Sequence, residues 1–245
     1  MDRYFIDTEF IEGPQKTFFG YTKPTIDLIS IGIKCDDGRE YYSISKDFNL
    51  KEAWNRYDMK QESCPITGVK TGRLVKEYWL RQNVLYPIWV ELEIKYLREN
   101  HTILWMMNPN TDWSALVKPE YFNFKRLEGL IKEFGKSNKE IAEEVEKFCT
   151  SGIGEKTIIG NTIEFYAYYG DYDWVVFCWL FGKMINLPCR FPKYCKDLQQ
   201  IFDEKKSLVK ERMKDQPRFP VNKGIHNALE DAKWNFELFK FLNTI

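Results

Sequence analysis

Arg3-Tyr4-Phe5-Ile6-Asp7-Thr8-Glu9-Phe10 is the stretch on which the reading of this chain turns. In an extended strand successive side chains alternate between faces. Tyr4, Ile6 and Thr8 then share one face, and Phe5, Asp7 and Glu9 share the other. Two carboxylates two residues apart on one face of an otherwise apolar strand repel each other, and burial deepens the cost. A divalent cation removes it, because Mg²⁺ and Mn²⁺ prefer oxygen ligands and Mg²⁺ is typically held by one or two carboxylates together with substrate phosphate. Taken alone, the stretch reads more readily as an edge strand with two solvated acids. The far end of the chain decides between them.

Working outward, residues 13–25 carry Gly and Pro near both ends and read as a loop. Ile26 to Cys35 is an Ile-rich strand, Asp36-Asp37-Gly38 a hairpin turn, and Glu40 to Ile44 a third strand pairing back. Ser137 and Glu140 form a capping box that starts a helix over Asn138 to Phe148, with Gly152 and Gly154 after its end. Thr162 to Tyr169 alternates as a strand, Gly170 breaks it, and Tyr172 to Met184 reads as a helix with Asp173 in its first turn. Lys196 to Lys205 suggests a short helix. Two prolines make Asp215 to Gly224 a loop, and Asn227 to Leu242 is the last helix. Strands followed by helices make this an α/β or α+β chain.

The middle is less regular. Trp79 to Arg98 has helical apolar spacing interrupted at Pro87, and Asn108 to Pro119 is loop-like. Gly68 to Arg81 is locally basic, with Lys70, Arg73, Lys76 and Arg81. Such a run is ordinarily a solvated face, with a nucleic-acid contact as the alternative. We expect one domain over 1–245, with about 57–135 partly an insertion of uncertain structure within it.

A length of 245 residues and a hydrophobic content of 44% allow one large packed core. Eight Trp, fourteen Tyr and eighteen Phe exceed what a core needs, which points some of them at a ligand or an interface. Basic and acidic residues balance at 36 each, so a general coater of polyanions is excluded, though not an enzyme that grips one strand end. Six cysteines without close pairing and only two histidines argue against zinc and for free thiols in a reducing compartment. No long apolar run or signal peptide is present, and a cytoplasmic protein without membrane contact is expected.

His226-Asn227-Ala228-Leu229-Glu230-Asp231-Ala232 is the most specific signal. His226 ends a loop and Asp231 lies early in the following helix, so both can face one cleft. Asp7-x-Glu9, an Asp after a middle strand, and His-x-Ala-x-x-Asp-Ala opening a C-terminal helix resemble the DEDDh 3′–5′ exonuclease superfamily, the RNase T and oligoribonuclease group. The chain is most similar to its small subfamily of mycobacterial-type and phage 3′–5′ exoribonucleases. Tyr4-Phe5-x-Asp7-Thr8-Glu9-Phe10-Ile11-Glu12, Leu28-Ile29-Ser30-Ile31-Gly32, Asp37-Gly38-Arg39-Glu40-Tyr41-Tyr42 and Tyr168-x-Gly170-x-Tyr172-Asp173 carry that likeness, over roughly 1–50 and 137–245.

The resemblance implies an α/β, RNase H-like fold: a central mixed β-sheet flanked by helices. It implies Asp7, Glu9, Asp173 and Asp231 as ligands of two divalent cations, Mg²⁺ or Mn²⁺, and His226 as general base, all five being catalytic. Two such ions activate water, neutralise phosphate charge and stabilise the leaving oxygen, and a histidine titrates near neutral pH. Asp171 competes with Asp173 for the third carboxylate. Thr8 and Phe10 are candidates for substrate binding, with core packing the alternative for Phe10, and Asp197 is a cap or a support behind the ligands. The expected partners are the 3′ end of RNA, or of DNA, and a second copy in a homodimer. Two other classes stay open: a non-catalytic binding module, and an endonuclease that cuts circular strands.

Overall fold

A computed structural model describes residues 2–63, 68–100, 112–151, 163–206, 217–222 and 226–244. Cys64, His101, Gly152, Gly154, Thr162 and parts of the 108–119 and 215–224 loops lie outside them. In chain order the elements are β1 (Asp2–Gly13), β2 (Lys16–Thr17), β3 (Gly20–Tyr21), β4 (Thr25–Cys35), β5 (Glu40–Ile44), α1 (Leu50–Asn55), β6 (Asp58–Ser63) and β7 (Lys70–Glu77). A π-helical turn over Arg81–Leu85 follows, then α2 (Tyr86–Asn100), α3 (Phe124–Phe134), α4 (Asn138–Thr150), β8 (Ile163–Ala167), α5 (Asp171–Leu180), β9 (Lys196–Asp197), α6 (Leu198–Lys206) and α7 (Ala228–Leu242).

Two compact units divide the chain. The first comprises Met1–Pro14, Thr22–Phe48 and Gly135–Ile245. Its sheet has the order β5-β4-β1-β8-β9. β4 runs antiparallel to both neighbours, while β8 is parallel to β1 and β9 parallel to β8. β1 is therefore central over Asp2–Phe5, while from Asp7 onward it pairs with β4 alone. The burial of Asp7 and Glu9 is what argues against two solvated acids. The alternation of β1 sorts its side chains into two cores. Tyr4 and Ile6 join Phe165, Ile141 and Val145 of α4, and Val176 and Phe177 of α5. Phe5 points the other way, stacked on Tyr166 at 5.3 Å, in a core with Leu198 and Phe202 of α6 and Leu238 and Phe241 of α7. The result is a mixed α/β unit whose central mixed sheet is flanked by helices.

The local signals of this unit hold with small shifts. Cys35 and Arg39 close the 36–38 turn through Cys35 N–H to Arg39 O, and Gly38 takes the positive φ of 100° that the turn requires. The Ser137–Glu140 capping box is present, and α4 extends two residues past Phe148. The helix expected to reach Met184 stops at Leu180, because Gly182 adopts a left-handed φ of 82° and its N–H bonds back to Trp179 O. Lys196 and Asp197 pair with β8 as a short edge strand, so the helix there starts at Leu198.

The second unit comprises Gln15–Tyr21 and Asn49–Phe134. Here the sequence was hardest to read. β2 and β3 make a small hairpin where a plain loop was expected, and β6 and β7 form a ribbon that no periodicity announces. Pro87 has no amide hydrogen, and its ring would strike the carbonyl four residues back in a continuous α-helix. The π-helical turn precedes it, with Tyr86 N–H reaching back five residues to Arg81 O. Val84, Leu85, Ile88 and the fully buried Trp89 then turn inward. Arg126 grips Glu93 through two 2.7 Å hydrogen bonds, joining α3 to α2. Among the described residues no helix is long and apolar enough to cross a membrane.

Candidate active site

Asp173 is the third residue of α5, whose N-cap is Gly170, and it is buried. Its Oδ1 accepts two hydrogen bonds from one residue of β1: Thr8 N–H at 2.7 Å and Thr8 Oγ1 at 2.6 Å. Oδ2 is left out of that clasp. Thr8, a substrate-binding candidate from the sequence, is thus buried and turned toward α5, where it orients a carboxylate. Phe10 lies on the same side, edge-on to Tyr172 with centroids 5.8 Å apart. Asp171, the competitor, is exposed. Asp197 Oδ2 accepts from Gly170 N–H at 2.9 Å while its Oδ1 accepts from Gln199 N–H at 2.6 Å, so it ties the starts of α5 and α6 together.

Asp7 and Glu9 project to the opposite face, toward α7. Three features bring α7 close. Asn227 is its N-cap, its side chain accepting from Leu229 and Glu230 N–H, and Asp231 sits in the first turn. Gly32 of β4 stands directly across from Asp7. A Cβ on Gly32 would lie 2.2 Å from the carbonyl carbon and oxygen of Ala228, so only a residue without one lets the helix start rest on the sheet there. One turn beyond Asp231, the buried Asn235 donates its Nδ2 to Ile6 O at 2.9 Å, beside Asp7.

Asp7, Thr8, Glu9, Phe10, Asp173, His226 and Asp231 all line one cavity of about 570 Å³. Glu9, His226 and Asp231 approach most tightly, with one potential ligand atom from each lying within 4.8 Å of the others. Asp7 and Asp173 stand outside that tight trio. Tyr168, Tyr169, Tyr172, Asn222, Trp234 and Asn235 complete the lining, and the sequence did not mark them as site residues. The Tyr168–Tyr172 run is visibly aromatic, but its role is not. Tyr169 is 65% exposed and holds a left-handed φ of 54°, a conformation uncommon without a Gly or Asn. His226 holds a similar φ of 49°, which sets its ring at the turn into α7.

Crowding governs the electrostatics. Burial, followed by the charges of Asp173, Glu9 and Asp231, holds the Asp7 carboxyl well above the usual range. Asp7 retains some solvent access through the cavity even though protein surrounds it. Burial and then Asp231 push Glu9 up to about 8. Burial raises Asp173 to about 6 against the lowering by its Thr8 bonds, and burial also raises Asp231. A cluster of oxygen donors that resists carrying its own charge fits hard cations such as Mg²⁺ or Mn²⁺, with the imidazole alongside.

The sign of the pH effect follows. Glu9 titrates near 4.5 when unfolded and near 8 when folded, so the folded state holds more protons between these values. Its stabilising effect is complete below the lower value and is lost as pH rises through the upper one. In EDTA, Tm is therefore expected to fall from about pH 5 to about pH 8, and added Mn²⁺ to raise Tm more at the alkaline end. Thermal melts at several pH values with and without the metal check both slopes. A Mn²⁺ shift independent of pH would contradict them.

The chain from residue 2 to residue 242 matches the family described as the 3′–5′ exoribonuclease Rv2179c-like domain. Two proteins of Mycobacterium tuberculosis are similar to it over nearly their whole length. They are 3′–5′ exoribonuclease MT2234.1 of strain CDC 1551 / Oshkosh and 3′–5′ exoribonuclease Rv2179c of strain ATCC 25618 / H37Rv. Each is 26% identical over 243 residues, covering 99% of this chain and 94% of the relative.

Proposed function

The chain belongs to the Rv2179c-like 3′–5′ exoribonuclease domain family, and from that premise we propose that it is a DEDDh-type enzyme removing nucleoside 5′-monophosphates from the free 3′ end of RNA. The observation that carries this reading is the meeting, in one cavity, of four carboxylates and an imidazole from three stretches far apart in sequence. The strand order β5-β4-β1-β8-β9, with only β4 reversed, supports an RNase H-like fold.

Asp7, Glu9, Asp173 and Asp231 would hold two divalent cations, which when bound neutralise the phosphate and stabilise the entering and leaving oxygens. The residues themselves do the rest. Thr8 fixes Asp173 from β1, so that carboxylate keeps one orientation when a phosphate enters. An imidazole nitrogen of His226, beside Glu9 and Asp231, takes the proton from the attacking water. The exposed ring of Tyr172 and its neighbour Phe10 offer the terminal nucleoside an apolar seat.

Digestion of RNA and DNA oligomers labelled at the 5′ end, with Mg²⁺ or Mn²⁺, tests this. We expect RNA to shorten stepwise from the 3′ end with release of nucleoside 5′-monophosphates, and circular RNA to survive. Cleavage of the circle would replace the reading by an endonuclease, faster loss of DNA would reassign the substrate, and complete inertness would leave a binding module.

A further inference from the structure

The basic stretch 68–81 contributes nothing to the cavity, and it belongs to the second compact unit. β6 and β7 form an antiparallel ribbon in which Met59 stands opposite Lys76 and Gln61 opposite Leu74. Alternation gives the ribbon two faces. Asp58, Lys60 and Glu77 share one, where Lys60 is ion-paired with Glu77. Met59, Leu74 and Lys76 share the other, and all three are exposed.

That second face continues into a ladder of cations and rings. Lys76 Nζ lies 4.1 Å from the centroid of Tyr57, Tyr57 is 5.8 Å from Tyr78, and the Arg81 guanidinium is 4.1 Å from the centroid of Tyr78. Arg81 Nε also donates to Trp54 O at 2.8 Å, which fixes the guanidinium in place. Among the described residues of the two strands, no acid falls on this face. Cations interleaved with flat rings suit a polyanion that also carries flat bases, which is single-stranded nucleic acid. A symmetric contact with a second copy would instead set this basic face against the same basic face of the other copy.

We propose that this face of the β6–β7 ribbon is a second RNA-binding surface, separate from the catalytic cavity, which takes single strands by their phosphates at Lys76 and Arg81 and their bases at Tyr57 and Tyr78. The choice of RNA rests on the exoribonuclease reading; the face itself does not.

The test is fluorescence anisotropy in EDTA with a labelled single-stranded RNA of about twenty nucleotides, beside hydrolysis of a dinucleotide in Mn²⁺. The double variant Tyr57→Ala/Lys76→Glu is expected to bind the long RNA about tenfold or more weakly and with a shallower salt dependence. Its dinucleotide rate should stay within about twofold of the parent, because neither substituted residue lines the cavity. Lys60→Glu makes the same charge reversal on the opposite face and should leave affinity nearly unchanged. Equal losses in Lys60→Glu and the double variant, or unchanged affinity in the double variant, would overturn the proposal. So would a fall in sedimentation mass of the double variant without loss of RNA binding, which would mark a protein contact. If the parent hydrolyses neither the dinucleotide nor the long RNA in Mn²⁺ but binding of the long RNA still separates the variants, the nuclease reading fails and the surface stands.

Discussion

Asp7→Asn is expected to lower the rate of RNA hydrolysis by about 10³-fold or more, and to raise the melting temperature of the metal-free protein. The rate loss follows from removing one charge from the carboxylate set: several kcal/mol of charge stabilisation at phosphorus correspond to about three tenfold steps. The stability gain follows from the crowding. Asp7 is surrounded by protein and faces Asp173, Glu9 and Asp231, which hold its proton on well above the usual range. The unfolded chain loses that proton at ordinary carboxyl values, so folding the wild type must take a proton back up, at a cost that grows with pH. Asparagine escapes this cost. The gain in Tm should therefore be small in mild acid, larger in alkali, and reversed once Mn²⁺ is present, because the wild type then gains a ligand-bound state that the variant holds weakly. Activity and metal-free Tm measured on one preparation decide it. A variant that melts below the wild type in EDTA at alkaline pH would mean that Asp7 is chiefly a structural hydrogen-bond acceptor.

The sequence shows where such a site can lie but not what assembles it. The alternation of Tyr4, Phe5, Ile6, Asp7, Thr8 and Glu9 is a local property, so the two-faced strand is legible before any fold is known. The pairing of Thr8 with Asp173 is not, because 165 residues separate them. Asp171 and Asp173 compete from the sequence, two residues apart, and only the Tyr172-Asp173 pair of the family resemblance favours the second. Burial of Asp173 and its clasp by Thr8 tell them apart. Asn227 reads as the first residue of the last helix, whereas its side chain caps that helix, which places Asp231 in its first turn.

The second unit was obscure for another reason. Asp58–Ser63 and Lys70–Glu77 are almost entirely exposed, so neither strand has a buried face whose period of two could announce it. Its helix 86–100 buries residues such as Trp89 only after the backbone has widened ahead of Pro87, and a propensity reading treats that proline as a stop. Tertiary packing decides both places, and no short window contains the partners.

Gly32→Ala is the second change expected to have a large effect, although residue 32 carries no functional group. The added Cβ would lie 2.2 Å from the carbonyl of Ala228 and 2.3 Å from Leu229 N, which are backbone atoms that no rotamer can move aside. Either β4 bows or the first turn of α7 lifts, and relief to ordinary contact requires a shift of about 1 Å or more. Overpacking of this kind costs about 1–3 kcal/mol of stability. The effect on activity is larger, because the lifted turn carries Asp231 and follows directly from His226, while Asp7 and Glu9 stay on the sheet; displacement of about 1 Å between catalytic groups costs about 10²-fold. Gly38→Ala separates the two effects. It strains a turn with φ of 100° but meets no atom within 4 Å, so it should lower Tm and leave the rate per folded molecule near wild type. Rates at a temperature where both variants are folded, with Mn²⁺ affinity measured by calorimetry, make the comparison. If Gly32→Ala keeps its rate, closeness of the helix start to the sheet is not what positions Asp231. If Gly38→Ala loses as much, the loss belongs to stability in general and not to the seam between β4 and α7.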